Sequence, residues 1–362
     1  MIPVAEPSLG KEERLNLLKA FDSGWISSKG SFLGEFEKSF SGYMGVDFGV
    51  ATVNGTSALH LALTALGVGK GDEVLVPSLT FVSTANVVAY TGAKPVFVDS
   101  HPGYWCIDPE KIEGKITENT KAIIPVHLYG HPCDMDAIND IAHDHNLYVI
   151  EDAAEAHGAE YKNRKLGSFG DVSCFSFYGN KIITTGEGGM CLTNNEELDE
   201  RMRILRDHGT NPSKHYWCDV TGFNYRMTNL QAAIGCAQIE KLDEFIEKKR
   251  ENTALYNKLL EDAQGITPPP EEKWAKNVYW MYSILIEKEY GKTRDQLINH
   301  LKENGIESRP FFPPTHKLPM YDKGETIKIA EELSKKGINL PSSVNLTSKE
   351  IKYVAETIKA AC

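Results

Sequence analysis

"FGVATVNGTSALHLALTALGVGKGDEVLVP", residues 48–77, begins and ends on short apolar runs, FGVATV and DEVLVP, and between them "SALHLALTALG" repeats Leu and Ala at three- and four-residue steps. Short β-branched runs read as strands and that spacing reads as a helix, so the stretch is strand, helix, strand. The pattern continues: "KPVFVD" (94–99), "KAIIPVHL" (121–128) and "LYVIEDA" (147–153) are further apolar runs, and "MDAINDIAHDHN" (135–146) is another helical stretch. Strands alternating with helices predict an α/β fold with a largely parallel sheet covered on both faces. Ligands of such sheets gather at the carboxyl ends of the strands, so the residues just after each run are the ones to examine.

Around this centre, an extended arm leads into the amphipathic "KEERLNLLKAF" (11–21) and "GSFLGEFEKSFSGYM" (30–44). From about residue 228 the chain is strongly helical as far as the breaker "GITPPPEEK" (265–273). Beyond it "VYWMYSILI", "TRDQLINHLKENGI", "KIAEELSKKGINL" and "SKEIKYVAETIKAA" predict a strand and helices of a compact α+β module. At 362 residues two domains are expected: a large α/β domain with the arm, residues 1–245, and a smaller C-terminal α+β domain, residues 246–362.

A net charge of −11 with no basic block argues against a nucleic-acid partner, since phosphate backbones are held by concentrated Lys and Arg. Seven cysteines without a CxxC pair read as reduced thiols, most of them small core residues, and not as a disulfide framework or zinc site. The start "MIPVAEPSLGKEERLN" lacks a basic stretch followed by an apolar one, and no uncharged apolar run reaches membrane-spanning length. A cytoplasmic protein without a membrane partner is expected. No metal is expected either: the histidines of "HDH" (143–145), two apart on a helix, point to different faces. The run "EKKRE" (247–251) reads as a solvated helix face, and His127 and His157 as hydrogen-bonded pocket or core histidines.

Three strand ends carry chemistry. In "VIEDAAEAHGA", Asp152 closes a buried strand, where a carboxylate is costly unless it meets a cation, a metal or several donors. Lys181 follows a second apolar strand, "VSCFSF", so both side chains can end at one sheet edge. A desolvated lysine beside a carboxylate suits Schiff-base formation, although the two alone also describe a buried ion pair. Gly55, Thr56 and Ser57 follow a strand and begin a helix, where free amides suit a phosphate; the same residues also make an ordinary helix cap. Amine, carboxylate and phosphate cradle at successive strand ends together describe a pocket for pyridoxal 5'-phosphate.

"NGTSALHLAL", "EDAAEAHGA", "FSFYGNKIITTGEGGM" and "GFNYRMTNLQAAIG", in this order, resemble the motifs of the DegT/DnrJ/EryC1/StrS family of pyridoxal-phosphate sugar aminotransferases, and the resemblance covers nearly the whole chain. It implies the aspartate-aminotransferase-like fold (fold type I), a mostly parallel mixed sheet flanked by helices. It implies that Lys181 joins the cofactor's aldehyde and moves protons, that Asp152 holds the pyridine nitrogen protonated, that Phe81 stacks on the ring and that Ser176 adds a hydroxyl to the phosphate. Asn224 would reach the phosphate from a second subunit, which makes the expected protein a homodimer with shared active sites. Glu155 stands where many relatives carry glutamine near the ring oxygen, so its proton balance is open. Lysine at 181, where relatives that remove a sugar hydroxyl carry histidine, favours transamination.

The implied reaction passes an amino group from L-glutamate to the 4-ketone of a nucleotide-linked 4-keto-6-deoxyhexose. "GWISSKG", "PVHLYGHPCDMD" and "GIESRPFFPPTH" are most similar to members acting on a GDP-linked sugar. A dTDP- or UDP-linked sugar, or a non-catalytic regulatory or structural descendant of the fold, are the alternatives. Trp25, Arg309, His316 and Tyr321 fall in segments that border the nucleotide sugar in relatives.

Overall fold

The computed structural model describes residues 1–361. Helices α1 (Lys11–Asp22) and α2 (Ser31–Met44) precede strand β1 (Phe48–Thr52); α3 (Gly55–Ala65) leads to β2 (Glu73–Pro77), and α4 (Ser83–Tyr90) to β3 (Lys94–Val98). Next come β4 (Thr120–Ile123), α5 (Met135–Asp144), β5 (Tyr148–Asp152), the short β6 (Glu160–Tyr161) and β7 (Arg164–Lys165), β8 (Val172–Ser176) and β9 (Gly189–Thr193). Three helices follow, α6 (Glu196–Arg206), α7 (Asn229–Ile239) and α8 (Leu242–Leu260). The chain ends with β10 (Ile266–Thr267), β11 (Ala275–Lys276), β12 (Tyr282–Ile286), α9 (Arg294–Glu303), β13 (Arg309–Pro310), α10 (Lys328–Lys336), β14 (Gly337–Leu340) and α11 (Ser348–Ala360).

The main sheet has seven strands in the order β1-β9-β8-β5-β4-β2-β3. Its pairs are parallel except those of β9, which runs antiparallel to both β8 and β1. The alternation read from residues 48–77 is present, but β1 and β2 are not neighbours, because α3 crosses the sheet between them. Almost every residue of α3 is buried, and its lack of a polar face is what a helix enclosed on all sides requires. The antiparallel β9 has a direct consequence. Strands β8 and β9 pair side by side, so the connection between them, residues 177–188, folds back over the carboxyl end of β8 and carries Lys181 there.

Two apolar clusters form the interior. The larger joins the sheet to α2, α3 and α7, and the smaller gathers Tyr256, Leu260, Tyr282, Ile284, Leu297, Leu301, Ile338, Ile351 and Val354. Helix α8 serves both: Leu242, Phe245 and Ile246 pack in the first, Tyr256 and Leu260 in the second. The smaller cluster lies on an antiparallel sheet ordered β10-β12-β14-β13. The long helical run is broken between Ile239 and Leu242, where the Lys241 ammonium reaches Glu12 and Glu13 of α1.

One surface reading is corrected. In "EKKRE" Glu247 and Glu251 are exposed, but Lys249 is buried, because α8 turns that position toward the segments around Trp280 and Ser342. Cys106, Cys133, Cys174, Cys191 and Cys236 are buried free thiols; Cys218 is exposed, and Cys362 lies outside the described residues. His157 sits among the rings of Phe40, Phe175 and Phe177, so it is a core residue whose burial presses its pKa down to about 3. No helix among the described residues is long and apolar enough to cross a membrane.

Candidate active site

Two consecutive carboxylates end β5, and pleating sends them to opposite faces. Glu151 is fully met: Oε1 accepts the amides of Phe169 and Gly170 at 2.8 and 2.9 Å, and Oε2 accepts the amide of Gly167 at 2.9 Å. It also lies 3.2 Å from His127 Nε2, which carries the donated proton because Nδ1 accepts the Cys133 amide at 3.0 Å. Those partners hold the Glu151 pKa below the ordinary carboxylate range despite its burial. Asp152 has fewer, the Thr84 hydroxyl at 2.8 Å and the Ala154 amide at 3.3 Å, and burial drives its pKa up. Of the pair, Asp152 is the one whose ionised form is still short of partners, a place a cation would fill.

Lys181 faces it across a cleft of about 540 Å³. Its Nζ lies 3.9 Å from Glu155 Oε1 and 3.8 Å from the centre of the Trp280 ring. Burial lowers the lysine pKa, while Glu155 and Asp152 oppose the fall. Glu155, fixed by the Tyr129 amide at 2.7 Å, is pushed up to about 7, first by burial and against the pull of Lys181. Burial thus presses the amine down and both carboxyl groups up, so their proton affinities move toward one another, the condition under which a side chain both takes and gives a proton.

The third element is the start of α3. Gly55 lies so near the end of β8 that a Cβ on it would stand 2.7 Å from Ser176 Cβ, which explains the glycine. A Cβ on Gly189 would stand 2.4 Å from the Asn54 carbonyl oxygen, so a second glycine lets β9 start against the same turn. The Asn54 side chain accepts the Ser57 amide at 2.8 Å; Gly55 and Thr56 head the helix on the cleft side. The Thr56 and Ser83 hydroxyls meet at 2.9 Å, and Ser176 lines the same corner. Helix-start amides and three hydroxyls make a cradle suited to a phosphate.

Phe81 stands at the cleft with 54% of its surface exposed and its ring 5.7 Å from that of Phe312, an apolar face open to a planar group. The donor set thus fits pyridoxal phosphate on its own terms: a phosphate cradle, an apolar ring, a buried acid short of a cation and a desolvated amine.

The cleft brings together Gly55, Thr56, Phe81, Asp152, Glu155, Ser176, Lys181 and Arg309. Arg309 is half-exposed and paired with Glu307 at 3.1 Å. The other expected residues lie outside it. Ser57 is buried on the helix side. His316 is buried with Nδ1 against the Ser78 hydroxyl at 2.5 Å and Nε2 against Glu331 at 3.1 Å, so both nitrogens are spoken for by the protein. Tyr321 bonds Asn86 at 2.7 Å and packs on Phe97. Asn224 is exposed and held by Arg226, and Trp25 is 60% exposed on the loop before α2. Sequence reasoning missed Thr80, Ser83 and Thr84, although they follow β2 as Phe81 does. It also missed Trp280, which reaches the site from about a hundred residues downstream and has no local signal.

This sheet, with a desolvated lysine facing a buried acid at its strand ends, is that of a pyridoxal-phosphate aminotransferase. Comparison with known proteins agrees: the model of the DegT/DnrJ/EryC1/StrS aminotransferase family matches residues 7–359, and the chain belongs to that family. It is 50% identical over 356 residues to GDP-perosamine synthase of Caulobacter vibrioides, covering 98% of this chain and 96% of the relative. It is 48% identical over 358 residues to GDP-perosamine synthase of Escherichia coli O157:H7, covering 99% and 97%. Among solved structures, the aminotransferase TlmJ from Streptoalloteichus hindustanus superposes with a TM-score of 0.95 at 30% identity, covering 100% of this chain and 98% of that one.

Proposed function

We propose that this protein is a pyridoxal-phosphate transaminase that converts GDP-4-keto-6-deoxymannose to GDP-perosamine with L-glutamate as amino donor. The observation that carries the reading is the desolvated Lys181 amine opposite Asp152 and Glu155, in a chain that matches perosamine synthases over nearly its full length. When bound, the cofactor supplies an aldehyde that joins amines and a ring that takes up the electron pair left by proton removal. Asp152 would hold it at the ring nitrogen, the amides and hydroxyls of Gly55, Thr56 and Ser176 at the phosphate, and Phe81 at the ring face. Lys181 takes the proton from the amine-bearing carbon of glutamate and returns one at C4 of the sugar. Glu155, which titrates near neutrality, holds a proton beside it. Overall, glutamate leaves as 2-oxoglutarate and the sugar's ketone oxygen is replaced by the amino group.

The reading extends to a cytoplasmic homodimer with shared sites, in which Asn224 and Trp25, exposed and outside their own chain's cleft, serve a second copy's. Ser57 supports the cradle from behind, Arg309 meets the diphosphate, and His316 and Tyr321 hold the walls around it. The division near residue 245 belongs to the same account, with α8 bridging the two units. The product would supply a 4-amino-4,6-dideoxyhexose for surface polysaccharide such as O-antigen. The test is incubation with glutamate and either GDP-4-keto-6-deoxymannose or dTDP-4-keto-6-deoxyglucose, read by mass. An amine in place of the ketone on the GDP sugar alone is expected; amination of the dTDP sugar alone overturns the nucleotide assignment, and amination of neither overturns the reading.

A further inference from the structure

Lys249 is a buried amine with no carboxylate paired to it among the described residues. Its Nζ donates to two main-chain carbonyls, Trp280 O at 3.0 Å and Ser342 O at 2.6 Å. Burial alone presses it down to about 7. A methionine would fill the same volume without the desolvation cost, so what the two donated hydrogen bonds hold in place matters more than the packing.

What it holds is Trp280. The carbonyl of that residue meets Lys249, its indole N–H donates to the Asn180 carbonyl at 2.7 Å, one residue before Lys181, and its ring face lies 3.8 Å from the Lys181 Nζ. The backbone leading into Trp280 is unusual: Tyr279 adopts a φ of 47°, a left-handed conformation that a bulky residue keeps only when its surroundings enforce it. Both lysines also line one water-sized cavity of about 10 Å³, together with Asn180, Gln238 and Ser342; Glu6, the carboxylate on that cavity, is exposed.

We propose that Lys249 is a positioning residue for Lys181, acting through Trp280: it pins the tryptophan carbonyl so that the indole face lies against the reacting amine. The reaction assigned above gives that amine its use, but the geometry and its test do not need the cofactor. An aromatic face at this distance favours the ammonium over the amine. It adds to Glu155 and Asp152 in keeping Lys181 protonated against the effect of burial. Release of the ring therefore lowers the pH at which Lys181 loses its proton. Direct repulsion between the two lysines would act with the opposite sign, because removing Lys249 would then raise that pH.

The test uses the full-length protein freed of cofactor. Lys181 is labelled with an amine-acylating reagent across pH 6–11, and its labelling midpoint is read by peptide mass. Lys249→Met and Trp280→Leu are each expected to lower the midpoint by about one pH unit, the worth of a desolvated cation–π contact. The double variant is expected to fall no further than Trp280→Leu alone. If Lys249→Met does not fold, Lys249→Gln, which keeps one donor for the Trp280 carbonyl, is expected to show a smaller fall. A midpoint unchanged or raised in the Lys249 variant, or a double variant in which the two shifts add, overturns the proposal. Lost thermal stability with an unmoved midpoint assigns Lys249 to the frame of the fold alone and overturns it equally.

Discussion

Replacing Glu155 by glutamine keeps an acceptor for the Tyr129 amide and removes one proton-binding group from the site. In the fold that carboxyl titrates at about 7, against an ordinary 4.5. A carboxyl raised in this way is harmless while protonated and destabilising once ionised, so its cost is absent below pH 4.5, grows up to pH 7 and stays constant above. At 1.36 kcal/mol for each pH unit, the interval is worth about 3 kcal/mol, an upper figure because Lys181 loses its nearest counter-charge in the variant. The variant is therefore expected to gain about 1–3 kcal/mol over the wild type between pH 5 and 8. The assay is urea unfolding of the cofactor-free proteins at several pH values, with the slope on denaturant checked for constancy. Equal dependence on pH in the two proteins would refute the reasoning, since Glu155 would then be ionised in the fold as readily as outside it.

Thr84→Val removes the hydroxyl that meets Asp152 and should cost about 2 kcal/mol in unfolding free energy, with weaker cofactor binding by absorbance titration. Gly55→Ala sets a Cβ 2.7 Å from Ser176 Cβ and should force the start of α3 off the end of β8; calorimetry should show cofactor affinity reduced by about tenfold or more. Lys249 is lowered to about 7 from 10.5, so the unfolded chain binds more protons between those values and wild-type stability rises with pH there. Relative to Lys249→Met the rise should reach about 3 kcal/mol between pH 7 and 9.5 in the same unfolding assay.

What could be read from the residues alone divides along physical lines. Asp152, Lys181 and the Gly55–Thr56 turn were legible because each follows an apolar strand in sequence, and strand ends of a parallel sheet converge. The strand and helix alternation was legible for the same reason, since periodicity is local. The neighbours of β1 were not, because pairing with β9 depends on where the chain returns after Lys181. Glu151 and Asp152 look alike in sequence; only the amides of Gly167, Phe169 and Gly170 tell the satisfied acid from the one short of a cation. Lys249 read as solvated from its charged neighbours and is buried because residues 280 and 342 come to it. His316, expected at the substrate, is occupied by Ser78 and Glu331 from two other parts of the chain.

The proposed function requires that the Lys181 amine be the group that joins the cofactor's aldehyde. Borohydride reduction of the cofactor-loaded protein, followed by peptide mass mapping, tests it most directly. The pyridoxyl group is predicted on the peptide containing Lys181. Bound cofactor with an unmodified Lys181, or a pyridoxyl group on Lys249 or another lysine instead, would contradict the account.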